Sequence, residues 1–164
     1  MQQLRFSCMT DEHPTVSANV RALEALLWRL RALGSELLSL DSFDRWGPKS
    51  GPEYEQFMVD DAGAESAHEA TEAELGALVT RLRFEDPDAV VRWADAHDRL
   101  LRTFLATCAG APENTKASTA AFVAEEELRA WAAVKSGAQP FVRENTYYVQ
   151  IDAELHGALF GDGS

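Results

Sequence analysis

Few of the residues and patterns that most quickly identify a protein occur in this chain. Its 164 residues include two cysteines, Cys8 and Cys108. That is too few for the disulfide framework of a small secreted domain, and a chain of this length can bury a core without staples. Reduced thiols and a cytoplasmic location are the expectation. No stretch without charge is long enough to cross a bilayer. Met1 to Pro14 lacks a basic segment followed by an apolar run, so no secretory signal is expected.

Phosphate-binding and nucleophile motifs are missing as well. No G-x-G-x-x-G, G-x-x-x-x-G-K-[S/T] or G-x-S-x-G occurs, which removes the backbone that phosphate loops and nucleophile elbows require. Cations are scarce: 15 Lys and Arg face 27 Asp and Glu, a formal charge of −12. Binding to a phosphate backbone is driven by Lys and Arg releasing counterions, so neither nucleic acid nor an anionic membrane is an expected partner. Of the 15 basic residues 12 are Arg, and with the recurrent Ala this is the composition of a GC-rich bacterial genome.

What is present is an ordinary globular composition, 46% apolar, which at this length predicts one domain over residues 1–164. Leu4, Phe6 and Cys8 alternate with Arg5 and Ser7, the period of a strand over Gln3–Met9. Thr15 or Ser17 then caps a helix whose stripe is Val16, Val20, Leu23, Leu27 and Leu30, with Gly34 as its end. Glu36–Phe43 and Tyr54–Val59 read as two strands of a hairpin, and the Gly/Pro-rich residues 44–52 between them as an exposed, Trp-bearing tip. Ala62-Gly63-Ala64 separates the hairpin from a helix near Ser66–Leu82. A third helix follows from Pro87 to Cys108 and a fourth from about Thr115 to Lys135. Asn145–Ile151 is rich in β-branched and aromatic residues and reads as a late strand. This order predicts an α+β fold: a small antiparallel sheet of three to four strands with four main helices largely on one face, opening as a βαββα unit.

The negative charge is unevenly placed. Between Glu36 and Glu74 eleven acidic residues stand against Arg45 and Lys49, so −9 of the −12 lies in less than a quarter of the chain. A one-signed surface is often only a solvated face, but it also steers a cationic partner and holds its Arg and Lys. Trp46 and Tyr54, flanking the Gly/Pro loop, are candidate anchors beside it. The candidate partner-binding residues are Trp46, Tyr54, Asp60, Asp61, Glu65, Glu69 and Glu72.

Other constellations carry less. His68 and Glu72 are four apart on a helical reading, but H-E-A-T-E has Glu where a zinc-protease pattern needs its second His. Asp60-Asp61 lacks the glycine and spacing of a calcium loop. His97 shares an apolar stripe with Cys108, yet eleven residues of helix separate them by about 16 Å, so they form no dyad. No catalytic residue, metal site or cofactor is assigned. The expected function is that of a non-enzymatic acidic protein docking a basic protein partner through residues 53–74. Bacterial immunity and inhibitor proteins have this physical profile. The alternatives are a small-molecule or enzymatic domain with a cleft between sheet and helices, using His97, Tyr148 and Arg143, and a structural subunit such as a homodimer.

Overall fold

The computed structural model describes residues 17–140, and these form four helices: α1 (Ala18–Trp46), α2 (Pro52–Glu85), α3 (Pro87–Thr107) and α4 (Lys116–Lys135). The described residues contain no strand, so the α+β expectation is corrected to a helical bundle. The expected strands Glu36–Phe43 and Tyr54–Val59 are the last turns of α1 and the first turns of α2. The expected strands Gln3–Met9 and Asn145–Ile151 lie outside the described residues.

The physical reasons can be read in the helix ends. Ser17 caps α1, its Oγ accepting from the Val20 amide at 3.2 Å. Gly34 does not end the helix; it is a buried interior position, and α1 runs twelve residues further to Trp46. A glycine inside a helix costs only about 1 kcal/mol relative to Ala, and Leu33, Leu37 and Leu40 continue the 3–4 spacing that began at Val20. Gly63 is likewise helical, in an Ala- and Glu-rich sequence whose intrinsic preference for helix outweighs one glycine. The real break is the turn 47–51. There Gly51 has φ 94°, a left-handed conformation that glycine adopts without strain, and Pro52 opens α2 with the preset φ of a first turn. Gly47 is needed for a different reason: a Cβ there would lie 2.6 Å from the Phe43 carbonyl oxygen.

The last two helices follow the sequence closely. Pro87 starts α3 after the single residue Asp86, whose carboxylate accepts from Asn19 Nδ2 at 2.8 Å and so fastens this corner to the start of α1. Thr115 caps α4 in a capping box with Ser118, each side chain accepting from the other's backbone amide, at 3.2 and 3.0 Å.

Backbones approach most closely in the pairs α1 with α2 and α3 with α4, and α3 also packs on α1 and α2. The shared core is built from Leu23, Leu27 and Leu30 of α1, Leu75, Val79 and Leu82 of α2, Trp93 and Leu101 of α3, and Val123, Trp131 and Val134 of α4. It draws on α1 no later than Leu30 and on α2 no earlier than Leu75. Beyond Arg31, which is buried against Glu127 of α4, residues 32–46 and 52–74 form a two-helix arm, about 23 Å along α1 and about 35 Å along α2 at 1.5 Å per residue. The arm has a small apolar seam of its own. Phe43 stacks on Phe57 with centroids 5.2 Å apart, Tyr54 packs on Phe57 at 5.9 Å, and Phe57 and Ala64 are buried.

Candidate functional site

Two places among the described residues concentrate polar chemistry. The first is a buried layer inside the bundle. Glu24 of α1 accepts through Oε1 from Trp93 Nε1 at 2.9 Å and from His97 Nε2 at 2.6 Å, both on α3. A contact this short between His97 Nε2 and Glu24 Oε1 needs a proton between them, and with the carboxylate ionised that proton is on Nε2. The His97 ring lies flat on Trp131 of α4, centroids 4.3 Å apart and planes 3° apart, and Trp93 meets Trp131 edge-on at 4.7 Å. One heptad further along α1, Arg31 reaches Glu127 of α4, Nη2 to Oε2 at 3.4 Å. Glu24, Trp93, His97 and Glu127 are 0–1% exposed.

Buried polar groups are costly unless paired, so the contacts of Glu24 and of Arg31 with Glu127 select which faces of α1, α3 and α4 meet, while His97 Nδ1 and Trp131 Nε1 have no hydrogen-bond partner among the described residues. Sealed from solvent, the layer fastens α1 to α3 and α4. His97, the candidate polar group for a cleft between sheet and helices, is thus occupied by Glu24. Tyr148 and Arg143, the other two candidates, lie outside the described residues, and no sheet is present among the described residues to form such a cleft.

The second place is the arm. Asp61, Glu65, Glu69 and Glu72 follow one another at spacings of four, four and three, which puts them in one row along a flank of α2. Glu65, Glu69 and Glu72 are exposed and Asp61 is half-buried. Asp60 is turned to the other flank, where it accepts from Gln56 Nε2 at 2.8 Å. Trp46 ends α1 at the arm's tip and is 81% exposed; Tyr54 is half-buried against Phe57. The seven residues singled out in the sequence therefore all lie on the arm, but in three groups: an acidic row, Asp60 opposite it, and two aromatics at the tip. His68 is half-buried, and no group of three or more His, Cys, Asp and Glu among the described residues is arranged to hold a metal ion.

Beside the acidic row the structure adds a groove between α1 and α2 that the sequence did not reveal. Its volume is about 470 Å³, and its lining combines the apolar Leu37, Leu38, Phe57 and Met58 with the acidic Asp41, Asp44, Asp61 and Glu65. Asp41 belongs to the stretch read as a strand and Asp44 to the stretch read as a loop, which hid their position beside α2. Read with helical spacing, Leu37, Asp41 and Asp44 share a face and would have signalled it.

The arm's own cations are already engaged. Arg45 pairs with Asp41 at 3.2 Å, Lys49 with Asp44 at 3.8 Å, and Arg29 at the arm's root with Glu74 at 2.8 Å. Among the described residues no Lys or Arg lies within ion-pair distance of Glu53, Glu55, Asp60, Asp61, Glu65, Glu69 or Glu72. Carboxylates four apart on a helix repel by about 0.2–0.5 kcal/mol each, so the row costs the isolated arm stability.

No helix of the described residues is long and apolar enough to span a membrane. No protein-family model, curated protein or solved structure matches the chain.

Proposed function

We propose that the chain is a non-enzymatic binding protein that docks a basic protein partner through its acidic arm, in the manner of an inhibitor or immunity protein. The observation that carries this reading is the coincidence of charge and architecture. The segment holding −9 of the net −12 is also the part of the hairpin that lies outside the shared core. A row of like charges weakens a helix that stands alone, and a cationic partner converts that repulsion into attraction, steering encounter as well as holding the complex. The exposed Trp46 ring at the tip supplies apolar area at low entropic cost, as anchors at interfaces do.

The test is affinity capture from the source cell with the wild-type chain and with a charge-reversed chain, Asp60→Lys, Asp61→Lys, Glu65→Lys and Glu69→Lys, followed by association kinetics with the purified partner. The expected result is a basic protein captured by the first and lost by the second, with an on-rate that falls steeply as salt is raised. Capture that survives charge reversal, with an on-rate indifferent to ionic strength, rejects the reading.

A further inference from the structure

The groove between the arm's helices narrows the kind of partner, and this inference rests on the acidic-arm reading above. We infer that the groove receives one amphipathic, basic α-helix of the partner, packed as a third helix against α1 and α2.

The argument starts from the lining. Leu37, Leu38, Phe57 and Met58 form an apolar floor, and Met58, 52% exposed, stands open to solvent in a helix that has no third neighbour at this level in the shared core. On the α1 side the lining includes Asp41 and Asp44, already paired with Arg45 and Lys49, and on the α2 side Asp61 and Glu65, which have no Lys or Arg within ion-pair distance among the described residues. An occupant must therefore carry an apolar stripe with cations on the side that faces α2, which is the pattern of a basic amphipathic helix. The described residues offer no strand edge, so an extended peptide would find no backbone ladder to join.

The dimensions agree. The lining runs from Leu37 to Asp44 on α1 and from Phe57 to Glu65 on α2, about 10–12 Å along each axis, or two turns of an occupant helix. Two turns place Leu-like residues at i, i+3, i+4 and i+7 over the floor and Lys or Arg on the side that faces α2. A second copy of this arm is the wrong occupant, because it would bring carboxylates against carboxylates.

The test uses two synthetic peptides of about 18 residues, five helical turns, identical in Leu and Lys content. One has the Leu residues in a helical stripe and the other is scrambled. Binding to the full chain is measured by fluorescence anisotropy at physiological salt. Burying a few methylene groups at about 0.8 kcal/mol each sets the expected preference for the striped peptide at about tenfold or more. Met58→Glu removes floor at an exposed position and is expected to abolish the difference between the peptides. Asp61→Lys with Glu65→Lys is expected to weaken both. Circular dichroism checks that each variant retains its helix content.

Equal binding of the two peptides, or a preference that Met58→Glu leaves intact, overturns the helix-in-groove inference while the acidic-arm reading stands. If neither peptide binds, both fail. If sedimentation shows a dimer that Met58→Glu dissociates, the occupant is a second copy and the inference is overturned.

Discussion

Glu24→Leu tests the buried layer most directly. The side chain is 1% exposed, and its Oε1 accepts two hydrogen bonds, at 2.9 Å from Trp93 and 2.6 Å from His97. Leu fills a similar volume, so the change leaves no large cavity and isolates the polar effect. It strands two buried donors, each costing about 1–3 kcal/mol. Removing the carboxylate also relieves part of its own desolvation, which works in the opposite direction. The balance is a loss of about 3 kcal/mol, the low end of the range for breaking a buried pair by deleting one partner. Equilibrium urea unfolding followed by tryptophan fluorescence measures it, and the midpoint should fall with little change in slope. Adding His97→Leu removes one stranded donor, so the double variant should lose less than the two singles summed, by more than about 1 kcal/mol. A Leu variant within about 0.5 kcal/mol of wild type, the scale of ordinary surface changes, would refute the claim that this carboxylate fastens α1 to α3.

Three further outcomes follow from the geometry. Gly63→Ala should stabilise the arm by about 0.5–1 kcal/mol, because the glycine is helical and a Cβ there meets nothing within 4 Å; slower amide hydrogen exchange in residues 58–68 would show it. Thr115→Ala removes one half of the capping box and should cost about 1 kcal/mol in urea unfolding, with Thr115→Ser nearly neutral. The Lys135 ammonium, 2.9 Å from Asp95 and 3.7 Å from Asp98, is held above its ordinary value of 10.5, chiefly by the hydrogen bond to Asp95. Because the folded value is the higher one, its contribution is complete below about pH 10.5 and is lost as pH rises through the folded value. Thermal unfolding from pH 6 to 11 should therefore show wild type and Lys135→Met differing by a constant amount up to about pH 10 and converging above it.

The reach of the sequence differs along the chain for physical reasons. Helices α3 and α4 were legible because their signals agree: Pro87 at a first turn, Thr115 at a cap, and apolar spacing that matches the period of a helix. Ser17 was likewise one of two expected caps. The arm misled because its signals conflict. In Glu36–Phe43 the run Leu37, Leu38, Leu40 is too short to separate a strand from a helix by period, and Gly34, Gly63 and the Pro/Gly loop look like punctuation. What decides the matter is length: one continuous α1 and α2 can pair along their whole extent, and the interior glycines Gly34, Gly63 and Gly76 cost less than that pairing returns. Correcting the local structure moved the chosen acidic residues from a hairpin and a separate helix onto one helix. It also brought Asp41, Asp44, Leu37 and Leu38 alongside them. The Glu24–Trp93–His97 layer was beyond sequence reasoning, since no spacing rule links residues on different helices; only the position of His97 in an apolar stripe hinted that it was buried.

The most direct test of the arm as a docking surface is location. Titration of the isotope-labelled chain with the striped basic peptide at physiological salt, followed by amide chemical shifts, reports where a cation-rich partner sits. The account predicts shifts clustered on residues 37–44 and 57–65 and absent from Asp95 and Asp98, the acidic pair on α3. Shifts centred on α3, or spread evenly over every exposed carboxylate, would contradict it.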